Sequence, residues 1–128
     1  MTTIFVYGTL QTGQCRESCW PLRPLEIVTA WTLGTLYFRE DYPAMKAGRS
    51  RVQGQLWRFS LDQIDQVLRV LDEVEAAPTL YTRLTVEVFH CETNQSLGEA
   101  WTYHYTESPE NDGFQPLVPS ENGFVHWP

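Results

Sequence analysis

Positive charge is scarce in this chain. Lys46 is its one lysine, and nine basic residues stand against sixteen acidic ones, for a net charge of −7. No cluster of Lys and Arg occurs. The basic footprint that nucleic-acid binding needs is therefore missing, and so is a polybasic patch for an anionic membrane. Neither a nucleic acid nor a membrane is expected as a partner. No apolar run approaches the ~20 residues of a membrane-crossing helix. Met1 to Gly8 offers no charged leader before a long apolar stretch, so no signal peptide is expected. Cysteine is sparse too, at positions 15, 19 and 91. An odd count without a secretory signal predicts free thiols in a reducing, cytoplasmic compartment. Internal repeats and low-complexity tracts are lacking.

What is present suits one globular unit. The 128 residues, 42% of them hydrophobic, predict a single domain over 1–128, with its core at about 1–108 and an irregular tail at 109–128. Five Trp and six Tyr are a heavy aromatic load for this length. Such residues supply core area, and some commonly line a concave site.

Thr3 to Tyr7 is a β-branched and aromatic run that ends at Gly8, as a strand entering a tight loop does. Thr12 to Pro24 reads as a loop with one helical turn. Glu26 to Phe38 reads as one long strand, with Gly34 marking a bulge or a close backbone approach. Val52 to Phe59 is another strand. Tyr81 to His90 and Glu99 to Thr106 form a hairpin across the turn Asn94-Gln95-Ser96-Leu97-Gly98. One helix is predicted. Ser60 and Gln63 make a capping-box start, and Leu61, Ile64, Val67, Leu68 and Leu71 follow at helical spacing. Beyond Ser108 the chain is rich in turn formers, and Phe114, Phe124 and Trp127 need cover. Many strands, one good helix and no βαβ alternation give an α+β fold. Its mostly antiparallel sheet could curl into a small β-barrel, with flanking helices.

Glu75 is the informative anomaly. It falls on the helical face defined by Leu61, Ile64, Leu68 and Leu71, four residues after Leu71. If the helix continues that far, the carboxyl points at the core. Burial, the helix C-terminus and the neighbouring Asp72 and Glu73 would all raise its pKa, which suits an acid/base shuttle. Ala76-Ala77-Pro78 ends the helix hereabouts, however, and pattern alone favours an exposed Glu75 in the following loop. Tyr7-Gly8-Thr9-Leu10 is a second candidate. A Gly at a strand end lets successive N–H groups form an anion nest, to which the Thr9 hydroxyl adds a donor; an ordinary turn is the simpler reading. His90, His104 and His126 follow no ligand spacing, and Cys15 with Cys19 lacks partners, so no metal site is expected. Trp101, Tyr103 and Tyr105 share a strand face that reads as core.

Together these pieces resemble the γ-glutamylcyclotransferase-like family. Val6-Tyr7-Gly8-Thr9-Leu10 is similar to its Tyr-Gly-Ser/Thr-Leu signature. Gly34-Thr35-Leu36-Tyr37 with Tyr42-Pro43-Ala44, then Val52-Gln53-Gly54-Gln55-Leu56-Trp57, resemble its next blocks. Leu71-Asp72-Glu73-Val74-Glu75, followed by Pro78, Tyr81 and Arg83, resembles the stretch that holds its catalytic glutamate. Ala100-Trp101-Thr102-Tyr103 is similar as well. The blocks keep the family's order over roughly residues 4 to 106, and the resemblance is nearest to the γ-glutamylamine cyclotransferase subgroup. One departure is Ala76, where the family often has Gly.

The resemblance implies a barrel-like sheet with flanking helices around a cavity for a small-molecule γ-glutamyl substrate. It implies Glu75 as the catalytic acid/base, which reverses the reading from pattern alone. Tyr7, Gly8, Thr9 and Leu10 match the loop that holds the substrate's α-carboxylate region, and Tyr81 matches a pocket tyrosine. The implied reaction converts a γ-glutamyl amide into 5-oxoproline and a free amine with no cofactor. A non-catalytic γ-glutamyl-binding module is the competing class, and an enzyme acting on a related amide is a third reading. Specificity for the leaving amine is expected in loops such as Arg39 to Arg51 and in the tail. The oligomeric state is open.

Overall fold

A computed structural model describes all residues, 1–128. Seven strands and one α-helix follow in the order β1 (Thr3–Val6), β2 (Glu26–Phe38), β3 (Pro43–Arg58), α1 (Ile64–Val74), β4 (Tyr81–His90), β5 (Ser96–Tyr105), β6 (Gln115–Pro116) and β7 (Phe124–Val125). Short 3₁₀ turns at Glu17–Cys19 and Pro109–Asp112 are the only other helical pieces.

The sheet order is β6-β2-β4-β5-β1-β3-β7, and β2 also pairs with β3. That pairing closes β2, β4, β5, β1 and β3 into a five-stranded barrel. Every contact in the ring is antiparallel except β1 with β5, which run parallel at Ile4 and Trp101. The fold is α+β, as the pattern of elements predicts.

Period-two alternation divides each strand between two cores. Phe5, Ala30, Leu36, Met45, Val52, Leu56, Val88 and Ala100 come from all five ring strands and fill the barrel with Tyr7 and Val125. Ile4, Val6, Trp57, Tyr81, Tyr103 and Tyr105 face the other way and pack with α1. The helix contributes Ile64, Val67, Leu68 and Leu71 to this second core, each side chain worth ~1.5–3 kcal/mol of burial. Closure demands close backbone approach at one point: a Cβ on Gly54 would stand 2.2 Å from the Val6 carbonyl oxygen. Two hydroxyls inside the sheet are satisfied, Thr102 donating to the Phe5 carbonyl at 2.9 Å and Thr32 to the Glu87 carbonyl at 2.7 Å.

The structure corrects several boundaries. The segment Pro43 to Arg51 is not a loop; it is the first half of β3. There it pairs with β2 and accommodates the predicted irregularity, a register shift between Gly34 and Thr35. The hairpin turn is tighter than predicted, because β5 begins at Ser96 and Gly98 lies within it beside a bulge at Val88/Phe89. Ser60 does not cap α1. Its hydroxyl bonds to Asp62 at 2.6 Å, the helix starts at Ile64, and Leu61 is 77% exposed. The stretch after Ser108 lends β6 to β2 and β7 to β3. Its Phe114 is buried against Tyr105, and Trp127 lies against Phe38.

Candidate active site

The C-terminus of α1 fixes Glu75. The Ala77 N–H bonds to the Asp72 carbonyl at 2.8 Å and the Ala76 N–H to the Glu73 carbonyl at 3.1 Å. This pair of reversed bonds is a Schellman ending. Glu75 is its cap residue, with φ −88° and ψ 0°, and Ala76 takes the left-handed position at φ 50°. Glycine favours that position, since a Cβ there is strained. Ala76 is thus the site of the departure noted in the sequence, and the strain is local to the residue after Glu75.

The last turn of α1 is also pinned from below. Arg83 on β4 grips Asp72 with two bonds, 2.9 and 3.2 Å, and the Tyr103 hydroxyl adds a third at 2.7 Å. The Arg83 guanidinium lies 4.6 Å from the centre of the Trp101 ring. The Asp72 charge is thereby matched.

Glu75 is only 9% exposed. Burial raises its carboxyl pKa from 4.5 to about 7, and the nearby positive charge of Arg16 opposes the rise. The sequence suggested the helix end and the adjacent acids as further causes; desolvation is the cause that operates here. No protein group donates a hydrogen bond to this carboxyl, so burial is uncompensated except by Arg16.

Glu75 lines a cavity with Tyr7, Gly8, Thr9, Leu10 and Tyr81. All the site residues expected from the sequence therefore surround one space. Gly8 is needed there for room: a Cβ would sit 2.3 Å from Pro43 Cγ. The loop it opens is held from outside. Gln11 N–H bonds to the Gly8 carbonyl at 3.1 Å, Arg16 N–H to the Thr9 carbonyl at 2.8 Å, and the Trp20 indole to the Leu10 carbonyl at 2.8 Å. Trp20 in turn stacks on Trp57 with ring centres 4.1 Å apart. The carbonyls of this loop are thus engaged, whereas the N–H groups of Gly8, Thr9 and Leu10 donate to no protein acceptor. Free, consecutive N–H groups at a cavity wall suit an anion or a polarised oxygen.

The cavity tyrosines are committed elsewhere. Tyr81 donates to the Pro43 carbonyl at 2.6 Å, and Tyr7 donates to the Tyr103 carbonyl at 2.5 Å. Burial pushes the phenols of Tyr7, Tyr81 and Tyr103 well above the usual tyrosine value. They stay neutral and hold the wall in shape. Glu75 alone among these groups is poised to exchange a proton near neutral pH.

Sequence reasoning gave no role to Arg16 or Tyr42, which also line the cavity. Arg16 lies in a stretch without periodicity, and Tyr42 carried only a resemblance. Elsewhere, no group of three or more His, Cys, Asp or Glu side chains is gathered as metal ligands. No helix is long and apolar enough to cross a membrane.

Residues 4–123 match the family model described as γ-glutamyl cyclotransferase, AIG2-like. No curated protein sequence matches the chain. Among solved structures, an AIG2-like protein from Mus musculus is 24% identical with a TM-score of 0.70, covering 100% of this chain and 96% of its own. A protein from Arabidopsis thaliana is 26% identical with a TM-score of 0.64, covering 85% of this chain and 72% of its own. A structure described as γ-glutamyl cyclotransferase is 16% identical with a TM-score of 0.58, over 91% and 71% of the two chains.

Proposed function

The chain belongs to the AIG2-like γ-glutamyl cyclotransferase family, and from that premise we propose that it converts a γ-glutamyl amide into 5-oxoproline and a free amine, with Glu75 as acid/base. The observation that carries the reading is a buried carboxyl with a pKa of about 7 in the same cavity as a loop of free N–H groups.

The substrate brings its own nucleophile. Glu75 takes a proton from the α-ammonium group, and the freed amine attacks the γ-carbonyl carbon. A C–N bond forms and closes a five-membered ring, and the carbonyl oxygen becomes an oxyanion. The amide C–N bond then breaks as Glu75 returns its proton to the departing nitrogen. Glu75 then relays the second proton of the ring nitrogen to the released amine, so the α-ammonium loses two protons overall, the amine leaves as an ammonium ion and Glu75 is regenerated. A carboxyl titrating near the working pH is suited to both transfers. The N–H groups of Gly8, Thr9 and Leu10 hold the substrate's carboxylate region or the developing oxyanion. Tyr7 and Tyr81 shape the wall. Holding the glutamyl chain folded supplies most of the acceleration, because ring closure is intramolecular.

The test is 5-oxoproline release from a panel of γ-glutamyl amides by the wild type beside Glu75→Gln. Release by the wild type alone supports the assignment. Equal release by both removes Glu75 from the mechanism.

A further inference from the structure

We propose that Arg16 is a substrate-binding residue that holds a carboxylate of the γ-glutamyl substrate in the cavity it shares with Glu75, an inference that rests on the cyclotransferase reading above. Arg16 is half-buried and lines the cavity with Glu75. The ion pairs of the chain are Arg39 with Asp41, Arg58 with Glu26 and Arg83 with Asp72. Arg16 takes part in none of them, in a protein whose net charge is −7.

The side chain is also oriented. Its guanidinium carbon lies 4.7 Å from the centre of the Tyr42 ring. A guanidinium held over an aromatic face is restrained without losing its N–H donors, which suit a planar, two-point partner such as a carboxylate. The backbone is fixed as well, since the Arg16 N–H bonds to the Thr9 carbonyl at 2.8 Å. Residue 16 is thereby tied to the loop whose own N–H groups are free. Its charge reaches Glu75, whose carboxyl it holds lower than burial alone would. Two anion-binding devices, a loop of N–H groups and a guanidinium over Tyr42, thus flank one acid/base.

A γ-glutamyl amide always carries an α-carboxylate. It carries a second carboxylate only when the leaving amine is an amino acid or peptide. Either can meet Arg16, and the experiment separates them. The wild type, Arg16→Ala and Arg16→Lys are assayed for 5-oxoproline release from γ-glutamyl-alanine and γ-glutamyl-ethylamide at about pH 9, above the Glu75 pKa, so that proton affinity does not mask binding. Loss of a charged, two-point contact predicts a KM raised by about tenfold to a hundredfold in Arg16→Ala. The expected kcat change is only a few-fold, and Arg16→Lys recovers part of the loss. An equal rise for both substrates assigns the α-carboxylate; a rise for γ-glutamyl-alanine alone assigns the leaving group's. Unchanged KM for both substrates in a folded Arg16→Ala overturns the inference and leaves the cyclotransferase reading standing. A wild type that releases 5-oxoproline from neither substrate, nor from the wider panel, overturns both.

Discussion

Replacing Glu75 by Gln should make the protein's stability less sensitive to pH, in a way that can be worked from the cavity. Burial raises the Glu75 carboxyl from 4.5 to about 7 in the folded chain. Between those values the folded state keeps a proton that the unfolded chain has released. Stability therefore falls as pH rises through this window, and above it the folded protein carries the full cost of an ionised, buried carboxylate. A difference of about 2.5 pKa units corresponds to about 3 kcal/mol. Gln is nearly isosteric with the protonated acid and does not titrate. Near pH 4 the two proteins should differ by the modest cost or gain of the amide alone. By about pH 8 the variant should have gained about 3 kcal/mol relative to that starting difference. Urea denaturation of both proteins across this range is the assay. With an m-value of roughly 2 kcal/mol/M, the separation of midpoints should widen by about 1.5 M. Other titrating groups are common to both proteins and cancel in the comparison. A separation that stays flat from pH 4 to 8 would refute the claim that the folded structure desolvates this carboxyl.

Ala76→Gly should stabilise the protein by about 0.5–1 kcal/mol, because relief of the left-handed Ala exceeds the added freedom of Gly in the unfolded chain; a lower melting temperature would contradict the strain assigned to the Schellman ending. Gly8→Val places a side chain where Pro43 Cγ stands 2.3 Å from the new Cβ. It should cost about 1–3 kcal/mol of stability and more than tenfold in kcat/KM, roughly the loss of one anchoring contact; unchanged kinetics would mean that the loop is only a turn.

The sequence made the barrel legible wherever hydrophobic alternation was clean. The strand over Glu26 to Phe38 was predicted to the residue, because its β-branched and aromatic run is bounded by Pro24 and by a polar turn. Pro43 to Arg51 hid its strand character. It holds Lys46, Gly48, Arg49 and Ser50, and its pairing with β2 is set by the barrel, which local propensity does not see. Leu61 misled in the other direction: it keeps the helical spacing but precedes the first helical turn and faces solvent.

The candidate site was legible in part. Glu75 stood out as an acid on an apolar face, yet its burial depends on how the helix ends, and that ending uses an Ala in a position glycine usually takes. Arg16 left no trace in the pattern. Its place follows from a backbone bond to Thr9 across the same loop and from a position over Tyr42, contacts that no helix or strand period signals. Positive charge was read as scarce, which was correct for the chain as a whole; its significance at one cavity needed three dimensions.

The measurement that bears most directly on the central claim is 5-oxoproline release from γ-glutamyl amides by the wild type and Glu75→Gln, with both shown to be folded. The account predicts release by the wild type and a loss of at least about 100-fold in the variant, the scale of positioned acid–base catalysis. Turnover by Glu75→Gln close to that of the wild type would contradict it.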